Sequence, residues 1–396
     1  LLRDVDVIIA GGSNAILADA NDRLRESDTP VDTYPIMLSS AAAEPIMVIN
    51  TDGSWRYVGR FVVTFSPAGL ILPNLLNDSI NGVYATDDAG VAAVSGIVNP
   101  TVQAIADAIG GVLQTQESNL FGRTDVYLNG LRASVRTEET NLGNLTADAN
   151  LWQARQVEAS VVFSIKNGGG IRDEIGFREF PPGSTDPEDE QRFPPAPIPL
   201  AGKELGDMSQ GDISRALSFN NGLVTFDATA VELKALLEAG ISNWDGTPNG
   251  NMPQVGGLKF SFDPSLEVGS RVRSLAIVND SGMVTDTVVQ NGAIVGDETR
   301  VFRGVTLDFI FNIDGETGRD GYPVPRNPGA NAVELEGAGI ADGNATFADS
   351  GSEQDALAEY MLTLFPVATP FMVEDTPIEE DMRIQNLSVR ADTVLP

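Results

Sequence analysis

The 396-residue chain contains no cysteine and no histidine. Without cysteine, disulfides and thiol chemistry are excluded. Without histidine, a Ser-His-Asp triad, an imidazole general base and a histidine-ligated zinc site are excluded within the chain. Lysine is scarce as well: four lysines stand among 25 basic residues, against 56 acidic ones, for a formal charge of −31. No basic stripe remains to replace phosphate counterions, so nucleic acid is not expected as a partner. No apolar run approaches the ~18 residues that a membrane span needs. An acidic surface of this kind suits a salty or calcium-bearing medium, and the expected location is secreted, periplasmic or at the cell surface.

What is present is an ordinary apolar content with abundant Gly and Pro in no fixed period, in a chain long enough for two domains. It opens almost directly on the apolar strand pattern Val5-Asp6-Val7-Ile8-Ile9, which reads as the middle of something longer. Strand-like segments follow at 34–39 and 45–50, and Asp52-Gly53 predicts a hairpin into 55–65. Residues 66–99 read as loop, and apolar spacing predicts a connecting helix over 101–114 with Val102, Ile105, Ile109 and Leu113 on one face. A second α/β region starts near 120, with a strand at 124–128, residues 132–140, and a helix over 142–155. Proline and acids make 174–205 an irregular insertion. Thr229 with Glu232 caps a helix over 230–239, strands are expected at 257–262, 271–278 and 301–311, and Ser352 caps a last helix over 353–364. The tail, 373–396, reads as acidic and then extended.

One stretch stands out chemically. The apolar run Val161-Val162-Phe163-Ser164-Ile165 ends in Asn167-Gly168-Gly169-Gly170-Ile171-Arg172. Glycine permits positive φ and close approach to the main chain, here by a ligand, with directional polar groups at either end. A plain tight turn is the bland alternative. Arg132 and Arg136 are four apart, a spacing that puts both guanidinium groups on one face of a helix or a strand. With Arg172 they form a candidate clamp for phosphate or carboxylate; in so acidic a chain they could instead pair with Glu138, Glu139 or Asp173. Phe219 and Phe309 lie beside polar turns, each a core residue at a loop entrance or one wall of a base sandwich.

The order of these motifs resembles the C-terminal domain of 5′-nucleotidases. It runs Arg132…Arg136-Thr137…Thr140-Asn141-Leu142-Gly143-Asn144-Leu145, Asn167 to Arg172, Gly211-Asp212-Ile213, Phe219…Asn221, Pro253-Gln254-Val255…Gly257-Leu258, and Asp320-Gly321-Tyr322. Residues 1–66, with the pattern ending Tyr57-Val58-Gly59-Arg60, resemble the last strands of the family's preceding domain. The resemblance implies an α/β (α+β) fold: a 5′-nucleotidase-type mixed-sheet domain over 119–396, a linker over 67–118, and before it the end of a calcineurin-like metallophosphoesterase sandwich.

It also implies roles. Arg132, Arg136 and Arg172 would hold the phosphate and ribose end, with Gly169 in the loop between. Phe219 and Phe309 would sandwich the base, Asn167 and Asn221 would hydrogen-bond around it, and Asp320 would accept from the ribose hydroxyls. In this family two divalent metal ions and a catalytic Asn-His pair sit in the N-terminal domain, and domain rotation carries the nucleotide to them. Here the family's metal-binding Gly-His-Ser-His is Gly11-Gly12-Ser13-Asn14, so no metal ligand or catalytic residue is expected from this chain. Extra residues at 312–319 leave Phe311 as an alternative to Phe309; Asp314 and Glu316 there make a candidate Ca²⁺ loop, though not with the spacing of a known one. The reading is a secreted nucleotide-hydrolysing metallophosphatase in which this chain supplies recognition. Its partners would be a nucleotide or nucleoside and the missing N-terminal part of the same protein. The competing reading is a non-catalytic, self-assembling binding or structural protein of a surface layer or filament.

Overall fold

In the computed structural model, residues 3–11, 15–53, 55–180, 186–326, 328–338, 340 and 343–396 are described. The Gly12-Ser13-Asn14 replacement lies outside them. The chain divides into two compact units, Leu1–Asp107 and Ala108–Pro396. The helix Pro100–Ser118 runs through the division.

The first unit carries a three-stranded sheet in the order Val7–Ile9, Pro45–Ile49, Ile36–Ser39. The first pair is parallel and the second antiparallel. The hairpin expected at Asp52-Gly53 does not form. Tyr57–Arg60 pairs instead with Gly82–Ala85, a strand in the stretch read as loop, and the helix Asp88–Ala93 follows it. Asp52 does adopt φ 83, but the chain beyond it turns to a distant partner, so the turn signal holds locally while the pairing goes elsewhere.

The second unit is built on two five-stranded sheets. The first runs Pro253–Gly256, Val161–Asn167, Val301–Leu307, Leu223–Thr229, Val333–Glu334. Its two central strands, Val161–Asn167 and Val301–Leu307, are parallel, and their other neighbours run antiparallel to them. This mixture brings the ends of the two central strands and the starts of Leu223–Thr229 and Pro253–Gly256 to one edge of the sheet. The second sheet runs Ala293–Ile294, Val284–Gln290, Val272–Val278, Leu258–Phe262, Ile384–Asn386.

Both sheets contribute to one apolar core, which includes Phe163, Phe226, Phe260 and Phe311. Phe163 meets Phe226 edge-on with ring centroids 5.7 Å apart. Gly304 is needed for this packing, because a Cβ there would lie 2.1 Å from the Phe163 ring. Helix Asn141–Val157 has an almost wholly buried first half, with Thr140 capping the Gly143 amide. Thr229 and Glu232 form a complete capping box on Ala230–Gly240, and Ser352 caps Glu353–Leu364.

Elsewhere the structure corrects the boundaries. The strand expected at 124–128 is Leu120–Arg123, leaving Thr124 and Leu128 as single bridges. Residues 132–140 begin with one helical turn, Arg132–Val135. The strand expected over 301–311 stops at Leu307 and turns into Asp308–Phe311. The insertion at 174–205 holds a hairpin of Phe177–Glu179 with Gln191–Phe193. The tail contributes Ile384–Asn386 as a parallel edge strand on Leu258–Phe262.

Candidate functional site

The glycine loop ends the central strand Val161–Asn167 as a single 3-10 turn, Gly168–Gly170. None of the three glycines takes a positive φ, contrary to expectation. Gly168 and Gly169 are required by close approach to protein backbone instead. A Cβ on Gly168 would meet the Val135 carbonyl oxygen at 2.0 Å, and one on Gly169 would meet the Gly250 oxygen at 2.8 Å. The Gly168 and Gly169 amides donate to the carbonyls of Met252 and Gly250 at 2.7 and 2.8 Å. The loop is thus pinned between the turn that presents Arg136 and the turn that precedes Pro253–Gly256.

At this sheet edge lies a cavity of about 260 Å³. It is lined by Arg136, Asn167, Gly169, Gly170, Arg172, Phe219, Asn221, Gly250, Phe309 and Asp320. Of the nine residues assigned to ligand binding in the sequence, all but Arg132 are here. The one-turn helix ends at Val135, and Arg136, its C-cap, turns inward to 8% exposure while Arg132 stays in solvent. The four-residue spacing did not place the two guanidinium groups alike, because the regular element it assumed ends between them.

The charges are arranged for an anion. Burial, together with the positive charges of Arg132 and Arg172, pushes the Arg136 guanidinium below its ordinary pKa, with Asp320 opposing. The Nε of Arg136 is buried without a hydrogen-bond partner. Among the described residues neither Arg136 nor Arg172 makes an ion pair, and Asp173 lies 3.8 Å from Arg215 instead. Unpaired guanidinium groups converging in a chain of charge −31 are ready to bind a phosphate or carboxylate in bidentate fashion.

The apolar walls follow from the same strand ends. Phe219 is 60% exposed, an unusual state for so large a ring, and Arg172 sits over it at 5.3 Å. Arg319 sits over Phe309 at 5.5 Å. Phe311, the alternative, is buried against Phe226 at 5.5 Å and is a core residue.

The polar rim is fixed by carboxylates. Asn167 donates its Nδ2 to Asp320 at 2.7 Å, leaving its Oδ1 buried and without a partner. Asn221 donates its Nδ2 to Glu353 at 2.7 Å. Sequence reasoning missed Glu353 and Gly250. The Asn249-Gly250 dipeptide is a readable turn signal for the second; the first residue of a distant helix carries no local signal for the first.

Asp314 and Glu316 do not assemble a calcium site. Among the described residues no three His, Cys, Asp or Glu side chains come together in a way that could hold a metal ion.

Residues 120–325 match the sequence model of the 5′-nucleotidase, C-terminal domain, and the chain belongs to this family. The trifunctional nucleotide phosphoesterase protein YfkN of Bacillus subtilis is 30% identical over 281 residues, covering 71% of this chain and 16% of that protein. The snake venom 5′-nucleotidase of Naja atra is 29% identical over 290 residues, 70% of this chain and 46% of its own length. Human 5′-nucleotidase is 26% identical over 290 residues, 70% and 42% respectively. The chain thus spans less than half the length of each of these curated relatives. Among solved structures, the 5′-nucleotidase precursor from Thermus thermophilus shares the mixed α/β fold. Its TM-score is 0.50 at 24% identity, over 96% of this chain and 59% of that one.

Proposed function

We propose that this chain is the nucleotide-recognition part of a 5′-nucleotidase-like phosphatase that hydrolyses nucleotides or related phosphomonoesters. The observation that carries the reading is that Arg136 and Arg172, neither in an ion pair among the described residues, share one cavity with the rings of Phe219 and Phe309. A phosphate needs the first pair and a base the second. Asp320, with one oxygen engaged by Asn167, supports a role as acceptor for ribose hydroxyls. Arg132 stays at the rim, adding positive potential to the approach rather than a contact.

Residues 1–66 are read as the end of a metallophosphoesterase domain, 67–118 as a linker and 119–396 as the nucleotide-binding domain. Divalent metals would supply the activated water in the intact protein, which is taken to act outside the cytoplasm. The described residues offer these metals no site, and binding and orienting the nucleotide is their part. The competing reading, a non-catalytic surface protein on the same scaffold, predicts bound ligand without turnover in the whole protein.

Isothermal titration of the 396-residue chain with adenosine 5′-monophosphate and with adenosine tests the binding. Heat with both, and a monophosphate affinity that collapses toward that of adenosine in Arg172→Ala, is the expected result. No heat with either would end the reading.

A further inference from the structure

Glu353 is the first residue of the helix Glu353–Leu364, and its side chain is 0% exposed. One of its oxygens, Oε2, accepts from Lys166 Nζ at 2.9 Å, an ion pair in which both side chains are fully buried. The other, Oε1, accepts twice from one residue: from the backbone amide of Asn221 at 3.1 Å and from its Nδ2 at 2.7 Å. The Glu353 amide in turn donates to the Asn221 carbonyl at 2.9 Å. Gln354 holds the same turn, its amide on Asn220 Oδ1 at 3.2 Å and its Nε2 on the Leu217 carbonyl at 2.8 Å. Asn221 is clamped, although it lines the cavity and is only partly buried.

The clamp has a chemical consequence. An ionised carboxylate only accepts, so the amide of Asn221 cannot flip; flipping would set Oδ1 against Glu353 Oε1. Because Oε1 also takes the main-chain N–H, it lies on the main-chain side of the amide and takes the hydrogen that points back. What remains is the edge formed by Oδ1 and the second amide hydrogen, an acceptor beside a donor. That edge matches an exocyclic amino group next to a ring nitrogen, the pairing by which asparagine reads adenine. A keto group in that place opposes one acceptor with another and leaves a polar group unpaired, which discriminates far more strongly than a missing apolar contact.

We propose that Glu353, held by Lys166, is a positioning residue that sets the base preference of this cavity through Asn221. Amino-bearing bases, adenine and cytosine, bind in preference to hypoxanthine and uracil. The proposal rests on the nucleotide reading above and adds to it a discrimination that reading does not require.

The test is a pair of titrations of the 396-residue chain, with adenosine 5′-monophosphate and with inosine 5′-monophosphate, which differ at the amino or keto group. The adenosine ligand is expected to bind about tenfold tighter or more. In Asn221→Ala the ratio falls to about one while both ligands still bind. In the double variant Lys166→Met, Glu353→Leu the buried charges go together and the Asn221 amide loses the acceptor that fixes its orientation; the ratio again collapses toward one. A merely structural role for the pair would lower the melting temperature, read by circular dichroism, and leave the ratio standing. Equal affinities in the unaltered chain, or a ratio that survives both variants, would overturn the proposal with nucleotide binding intact. Absence of heat with both ligands would remove the nucleotide reading and this proposal together.

Discussion

Asn167 Nδ2 donates to Asp320 Oδ2 at 2.7 Å, joining the end of the central strand to a turn 153 residues later. Asp320 holds this position at φ 55, in the left-handed region that non-glycine residues seldom occupy. Strain of this kind is retained where the surroundings over-determine it, commonly at ligand sites. Asp320→Ala is expected to release the Asn167 amide and weaken adenosine binding by about 1–3 kcal/mol, the cost of stranding a buried polar group. Titration with adenosine reads the loss, and an unchanged affinity would remove Asp320 from the site.

The arginines and the aromatic rings make separable predictions. Arg136→Ala should cost the monophosphate about 1.5–3 kcal/mol while hardly changing adenosine, since charge-assisted bonds go to the phosphate. Parallel titrations at low and high salt check it: the monophosphate alone should show salt dependence, and that dependence should shrink in the variant.

Phe219→Ala should act on both ligands alike. A stacked ring contributes about 0.5–1.5 kcal/mol beyond its area. Because Phe219 is 60% exposed without ligand, the melting temperature should not move. A large fall in melting temperature would make Phe219 a packing residue after all.

Gly168→Ala should do the reverse, with a loss of stability of about 1–3 kcal/mol from forcing a Cβ onto the Val135 carbonyl. Denaturant unfolding measures it. The loss should be accompanied by weaker binding, because the displaced strand end carries Asn167 and the displaced turn carries Arg136.

Asp381 gives a pH dependence away from the cavity. Burial and the neighbouring charge of Glu139 push its carboxyl up to about 8, and burial pushes Glu138 up to about 6. A raised carboxyl pKa means that the folded state binds the proton more tightly than the unfolded one. That contribution is complete below the ordinary carboxylate range and is lost as pH rises through 6 and then 8. The chain should therefore melt lower at pH 9 than at pH 6, and Asp381→Asn should narrow the difference. A melting temperature that rises over this interval, or a variant that leaves the difference unchanged, would contradict the assignment.

Local chemistry is legible in the amino-acid sequence. Thr229 with Glu232 and Ser352 mark their helices because a cap acts within three residues of itself. The apolar run into Asn167-Gly168-Gly169-Gly170 marks a strand and its end for the same reason. Pairing is not legible: Asp52-Gly53 has the composition of a hairpin turn, yet Tyr57–Arg60 finds Gly82–Ala85. Which strand a segment joins depends on burial shared with residues far along the chain, and that leaves no trace in its own neighbourhood.

The candidate site divides in the same way. The sequence by itself determined which residue types were available: no imidazole, no thiol, an acidic surface, and arginines, phenylalanines and asparagines in an ordered series. Only the tertiary structure decided which of them meet. It buried Arg136 and left Arg132 in water, chose Phe309 over Phe311, and replaced positive φ in the glycine loop by close backbone contact. It also set each asparagine's amide against a carboxylate, Asp320 or Glu353, more than a hundred residues away. An amide's orientation is fixed by the partners around it, and sequence order alone does not say who those partners are.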